Sequence, residues 1–211
     1  MARNNPKRKA SGKKKFTILV DGETEIWYFQ MMKKHEALPV DIKPDLPAKK
    51  KLKDQYEEVL EYAKHSDKVI WMLDFDTLIK EESETKAKGK SKIQEFKEYV
   101  SKLKKFDNVE VLVNTPCLEY WYLLHFTETG KYFANCESVV KELKKNDCLK
   151  DYQKTQSYYK KKNNDIYKKL KELQKEAIAR AKKLGDFDLN NTETAKAEIY
   201  KVFDLFDLKI K

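Results

Sequence analysis

Glycine and proline are scarce in this 211-residue chain, with 5 of each. That excludes a collagen-like chain and argues against a linker-rich or disordered one. Cysteine is scarce as well: Cys117, Cys136 and Cys148 are an odd number without paired spacing. Such usage does not suggest a disulfide framework and points to the reducing cytosol. There is no C-x-x-C, and His35, His65 and His125 lie far apart, so a structural zinc site is not expected. No apolar run approaches the roughly 18 residues of a membrane span, which excludes an integral membrane protein of the helical kind. The opening MARNNPKRKASGKKK has no apolar stretch behind its charges, unlike a secretory signal.

Charge is what the chain has in plenty. Charged residues make up 38% of it, against about 25% in an average soluble protein. A 40% hydrophobic and 12% aromatic content is still enough to bury a core. The net charge of +10 is unevenly spread: residues 1–15 hold seven basic residues and no acid, and 16–152 hold 23 basic and 26 acidic. Residues 153–183 hold 11 basic and 3 acidic, and 184–211 hold 4 and 6. A slightly acidic middle between two basic segments suits a protein that handles a polyanion. A solvated tail and a lysine-rich helix face would give the same pattern.

The hydrophobic pattern predicts alternating strands and helices. FTILV (16–20) reads as a buried strand ending at Asp21-Gly22, and Glu23–Glu36 as a helix whose spacing shows in Ile26, Phe29, Gln30 and Lys33, with Trp27, Tyr28 and Met31 widening its apolar face. Residues 39–47 are a proline-containing connector with a short strand at 40–42, and 53–65 a second helix. KVIWMLDFD (68–76) is an unbroken apolar run ending in two carboxylates, as in a central strand covered on both faces. A polar loop is expected at 77–90, a helix at 91–105 and a strand at 109–114. Thr115-Pro116 would cap and open a helix over 117–126. Another helix is expected near 137–146, a long basic one over 153–184 ending near Gly185, and a last one after Asn191-Thr192. This order implies an α/β fold whose parallel sheet is flanked by helices. In such sheets ligands bind at the carboxyl ends of the strands. Asp21-Gly22, Asp74 with Asp76, and Asn114 all fall at those ends.

Asp74 and Asp76 are two apart, so in extended backbone they point to one side. Two carboxylates there repel one another unless a cation lies between them, and Mg²⁺ favours one or two carboxylates plus phosphate oxygens and water. Solvated strand-end acids, or Asp76 as a cap of the next turn, are the alternatives. Asp21 ends the first strand beside Gly22, which allows close approach of a ligand. Glu23 and Glu25 also suit the helix dipole at that position. Tyr152, Tyr158, Tyr159 and Tyr167 interleave with Lys154, Lys160, Lys161 and Lys162, a pattern for stacking bases and holding phosphates. Tyrosines packed inward beneath solvated lysines would read alike. Glu119 and His125 are six residues apart, roughly 120° around a helix, so a straight helix does not aim both into one site.

VDGETEIWYF (20–29), MLDFDT (72–77) and NTPCLEYWYLLHF (114–126) together resemble the RloB family, which carries a Toprim-type catalytic domain. CLKDYQK (148–154) and the closing segment 192–206 fit as well. Where the family pattern has Glu before the first Gly, this chain has Asp21, shorter by a methylene. The resemblance implies Mg²⁺- or Mn²⁺-dependent phosphodiester hydrolysis of DNA or RNA, tRNA included, in bacterial anti-phage defence. It further implies an ATPase partner encoded nearby, with self-association open. On that basis Asp21, Glu25, Asp74 and Asp76 are the expected catalytic residues, with Asp21, Asp74 and Asp76 on the metal. Gly22, Asn114, Glu119 and His125 are expected just behind them. Lys154, Tyr158, Lys160, Lys161 and Lys162 are expected on nucleic acid. The expected organisation is a disordered basic tail (1–15), a Toprim-like domain (16–130), and a helical extension (131–211) packed on that domain. Two alternatives stay open. DFDT also resembles the D-x-D-x-T of haloacid-dehalogenase phosphohydrolases, and the chain could be a non-catalytic nucleic-acid-binding subunit.

Overall fold

The computed structural model describes residues 14–44, 50–84 and 91–208. Most of the basic tail, and residues 85–90 of the loop expected at 77–90, lie outside the described residues. Five strands form one sheet in the order β2-β1-β3-β4-β5. They are β1 (Phe16–Val20), β2 (Val40–Lys43), β3 (Lys68–Asp74), β4 (Val109–Thr115) and β5 (Lys196–Ala197). The first four run parallel and β5 antiparallel to β4. The helices are α1 (Glu23–Glu36), α2 (Leu52–Ala63), α3 (Phe75–Glu84), α4 (Lys92–Leu103) and α5 (Leu118–Leu124), then α6 (Cys136–Leu143), α7 (Gln156–Tyr159), α8 (Ile166–Leu170), α9 (Gln174–Leu184) and α10 (Tyr200–Leu205). None is long and apolar enough to cross a membrane among the described residues.

Two apolar clusters explain why the strands read as unbroken hydrophobic runs. Ile18, Val20, Ile70, Met72 and Leu112 face one side, with Tyr28, Trp121, Tyr159 and Phe203. Leu19, Val69, Trp71, Leu73 and Val113 face the other, with Val59, Phe96 and Leu103. Side chains alternate faces along each strand, so a sheet covered on both sides needs apolar residues at every position. Trp71, at the centre, donates its indole N–H to Gln55 Oε1 at 3.0 Å. The C-terminal segment completes the sheet: beside β5, the Glu198 carboxylate accepts the Val113 N–H at 2.8 Å.

Several local expectations are corrected. The long basic helix over 153–184 is broken into α7, α8, a 3₁₀ turn at Lys171–Leu173, and α9. Asn163 takes a left-handed conformation (φ 63°). Thr155 and Asp165 accept the N–H groups of Tyr158 and Lys168 as new N-caps. Such caps start helices and so interrupt a longer one. Residues 77–84, expected as loop, are helical in α3. Thr115 stays in β4, the Thr115–Pro116 peptide is cis, and Cys117 rather than Thr115 is the N-cap residue of α5. The last helix starts only at Tyr200, because 196–197 pair with the open edge of β4.

The cysteines are a further correction: Cys117 and Cys136 form a disulfide, with Cα atoms 5.7 Å apart, and Cys148 is free. A separation of 19 residues hides the pairing in the sequence. Packing of α5 against α6 brings their first turns together.

Candidate active site

β2 lies on one side of β1 and β3 on the other. The chain therefore switches direction across the sheet between β1 and β3, and the crevice of a parallel α/β sheet opens at the carboxyl ends of such strands. The register pairs Val20 with Met72 and Asp74 with Asn114. Asp21, Asp74 and Asn114 thus leave three neighbouring strands at nearly one level.

A cleft of about 180 Å³ there is lined by Asp21, Gly22, Glu25, Asp74, Asp76 and Lys154, among others. It brings together all four expected catalytic residues. Asp74 and Asp76 reach it differently from the extended arrangement expected. β3 ends at Asp74, buried Phe75 begins α3, and Asp76 sits in that helix's first turn with Lys80 Nζ 3.3 Å from its Oδ2. Asp74 is clamped by the Leu118 N–H on Oδ2 at 3.1 Å and by Asn114 Nδ2 on Oδ1 at 3.4 Å. Asn114 is fully buried behind it, its own Oδ1 without a partner.

Gly22 is needed for space, not for a turn. Its φ of −134° is open to any residue. A Cβ added there would stand 2.2 Å from Glu25 Oε2. The glycine lets the Glu25 carboxylate fold back over the backbone, where Thr24 Oγ1 donates to Oε2 at 3.1 Å.

Crowding of carboxylates shows in their proton affinities. Burial, and then Glu25, push the Asp21 carboxyl well above its usual range, although the Asp74 backbone N–H pulls the other way. Burial, Glu25, Asp21 and Glu119 push Asp74 up in the same way. Burial and Glu119 raise Glu25 to about 7, against Thr24 and Lys154. Each carboxylate makes its neighbours harder to ionise, as like charges in a low-dielectric site must. Asp21 Oδ2 is sealed from solvent with no hydrogen-bond partner.

Lys154 is placed otherwise than expected. Its Nζ lies 2.9 Å from Oε1 of fully buried Glu119, which also accepts the Tyr152 O–H at 2.6 Å. Burial works against the ammonium, but Glu119, Asp74 and Glu25 outweigh it and raise its pKa. Lys154 is therefore a cation within the acidic cleft, not part of a separate basic face. Tyr158 is corrected too. It is buried, its O–H donates to Asp151 at 3.3 Å, and Lys169 Nζ stands 4.9 Å over its ring. Tyr152 and Tyr159 pack against it in T-shaped contacts, so little of the ring is exposed. Lys160 is half-buried, while Lys161 and Lys162 are exposed.

His125 is not brought to the cleft, which corrects its place behind the catalytic residues. It is buried at the far end of α5, with Nδ1 2.9 Å from the Trp121 carbonyl. Burial pushes its pKa down to about 3. Arg180 donates to the Leu124 and His125 carbonyls at 2.7 and 2.9 Å and closes that helix end. Sequence reasoning missed Cys117 and Cys136, which line the cleft, and a hollow of about 610 Å³ beside it. That hollow shares Asp21, Thr77 and Lys80 with the cleft and adds Lys50, Lys51 and Lys92. The Tyr/Lys interleaving and the 148–154 motif both pointed to Lys154, though to a nucleic-acid face rather than to the acidic cleft; nothing local marked the cysteines.

Among the described residues, the potential ligands whose donor atoms all lie within 4.8 Å of one another are Cys117, Glu119 and Cys136, not the aspartates. The donor chemistry of Asp21, Glu25, Asp74 and Asp76 still fits a hard divalent cation. It is all carboxyl oxygen, able to give up protons as a cation binds, and it includes one buried oxygen with nothing to bind.

Fold and site together define an α/β protein with a mostly parallel sheet and a carboxylate-rich cleft at its switch point. The RloB-like protein family model matches residues 16–205, and the chain belongs to that family. No curated protein and no solved structure matches it.

Proposed function

We propose that this chain is a metal-dependent phosphodiester hydrolase acting on DNA or RNA, tRNA included, in defence against phage. The observation that carries the proposal is the meeting of Asp21, Glu25, Asp74 and Asp76 in one cleft at the ends of adjacent parallel strands. Asp21, Asp74 and Asp76 would hold Mg²⁺ or Mn²⁺, which supplies polarisation of the phosphoryl group and a more acidic water. The chain's own residues do the rest. Asn114 and the Leu118 N–H orient Asp74. Glu25, raised to about 7, exchanges a proton near neutral pH, where a general base is most effective. Lys154, anchored by Glu119, offers positive charge toward a phosphate. The hollow beyond Asp21 mixes Lys50, Lys51, Lys80 and Lys92 with Glu81 and Glu84, and its lysines are within reach of phosphates entering on that side.

Asp21 is the shorter acid at its position, yet it lies at the cleft wall beside Glu25. The dehalogenase-like alternative requires Asp74 as a nucleophile; both its oxygens are engaged by Leu118 and Asn114, which favours a holding role. An ATPase partner and self-association belong to the proposal on the family resemblance alone. The test is incubation of purified protein with plasmid, single-stranded DNA and tRNA, with Mg²⁺ or Mn²⁺. Cleavage lost in Asp74→Ala and Asp76→Ala is expected. Full cleavage by those variants refutes the site, and phosphate release from small esters without any cleavage refutes the nuclease assignment. Binding without cleavage, kept in Asp74→Ala, supports a non-catalytic subunit instead.

A further inference from the structure

We infer that Cys117, Glu119 and Cys136 form a second metal site, for a thiophilic divalent cation such as Zn²⁺, that exists only when the Cys117–Cys136 disulfide is reduced. The inference does not rest on the proposed hydrolase activity, although Glu119 also anchors Lys154 beside the same cleft.

Their donor atoms lie within 4.8 Å of one another, and all three residues are buried. Two sulfurs and one carboxylate suit zinc, whereas magnesium takes oxygen. Thiolates sharing a tetrahedral Zn²⁺ at about 2.3 Å sit about 3.8 Å apart. Cysteines with Cα atoms 5.7 Å apart reach that separation by side-chain rotation. The surroundings already hold a cation, the Lys154 ammonium, which the metal displaces. Lys154 Nζ lies 2.9 Å from Glu119 Oε1 and 3.3 Å from Cys136 Sγ. Cys136 Sγ itself lies 2.8 Å from Glu119 Oε2; as a disulfide sulfur it carries no proton to donate there. The Tyr152 O–H on Oε1, at 2.6 Å, is the kind of outer partner that orients a ligating carboxylate.

Two elements hold the ligands: Cys117 is the N-cap residue of α5 and Cys136 opens α6. Both cysteines line the acidic cleft, from which water could complete the shell, as in a three-ligand zinc site. Disulfide and metal exclude one another, because bonded sulfurs are not thiolates. A cellular dithiol gives two electrons and two protons to the S–S bond and becomes a disulfide itself. The two thiols formed here release their protons as the metal binds.

The test uses the full chain, reduced with a dithiol, freed of it without air, and titrated with Co²⁺. One Co²⁺ per chain with thiolate-to-metal charge-transfer absorption is expected, undiminished by excess Mg²⁺. The oxidised protein should show no such band. Cys136→Ser should lower affinity by at least about 100-fold, and Glu119→Gln by at least about 10-fold, judged against the cost of losing an outer-shell partner. Cys148→Ser should bind as wild type. The inference is overturned if the reduced wild type shows no band, or if the band persists in the Cys117→Ser, Cys136→Ser double variant. Should that variant fail to fold, alkylation of native wild type decides. Zn²⁺ must protect Cys117 and Cys136 but not Cys148, and absence of protection overturns the site.

Discussion

Replacing Gly22 by alanine separates the backbone's needs from those of the cleft. At φ −134° and ψ 165° the position is extended, so alanine fits the backbone without strain. The obstacle is the Glu25 carboxylate, whose Oε2 would stand 2.2 Å from the new Cβ. To reach an ordinary separation Oε2 must retreat by about 1.2 Å. Only the end of a flexible side chain moves, and what goes with it is the Thr24–Glu25 hydrogen bond, worth about 0.5–1.5 kcal/mol. Alanine returns about 0.4–1 kcal/mol by restricting the unfolded chain. Alanine is also a poorer N-cap residue than the glycine that opens α1, by about 0.5–1 kcal/mol, so stability should fall by no more than about 2 kcal/mol, or about 4–8 °C in Tm for a chain of this size. Activity should respond far more, since a misplacement of about 1 Å in a reacting constellation costs about 100-fold. The assay pairs thermal melts with Mg²⁺-dependent cleavage and Mn²⁺ titration calorimetry. Wild-type cleavage and metal affinity in Gly22→Ala would show that Glu25's position is irrelevant to the site. A collapse in Tm would show that the backbone, not the carboxylate, needs the glycine.

Asp74→Asn should raise the melting temperature by about 2–4 °C per kcal/mol relieved while abolishing metal-dependent cleavage. It removes one of several mutually repelling buried carboxyls; with its amide oxygen kept on the Leu118 N–H, its amide N–H₂ meets Asn114, whose side chain flips to accept through the now unpaired Oδ1; a lower Tm in metal-free buffer would refute this. Lys154→Ala strands the buried Glu119 carboxylate. The lysine side chain is 47% exposed, so we expect about 1–3 kcal/mol by urea unfolding, less than the 3–5 kcal/mol of a fully buried pair. Neutralising Lys160, Lys161 and Lys162 should flatten the salt dependence of nucleic-acid binding by about 0.7–0.9 for each phosphate they neutralise, with no change in Tm. His125, a base pushed down to about 3 from 6.5, contributes stability fully present above about pH 6.5 and lost as pH falls toward 3. Urea midpoints should fall by the equivalent of about 2–3 kcal/mol between about pH 7 and 4.5, and His125→Gln should blunt that slope.

The sequence by itself determined the α/β alternation, because strands covered on both faces are apolar at every position. Phe16–Val20 and α1 lie where the periodicity puts them, and the strand expected over 68–76 is there but ends at Asp74. It also determined which acids sit at strand ends, since apolar runs must stop where the sheet meets water. The basic segment after Gln153 was legible as charge, but its helix breaks at Asn163 and Asp165 depended on caps that compete with helix continuation. Only the tertiary structure decided what long-range packing sets. Strand order placed Asp21 beside Asp74. Burial turned Tyr158 and His125 inward. Glu119 drew Lys154 into the acidic cleft, and α5 against α6 joined Cys117 to Cys136. The physical reason is common to all four. A residue's local pattern records whether it is buried, while its partner across the fold is fixed by which elements pack together.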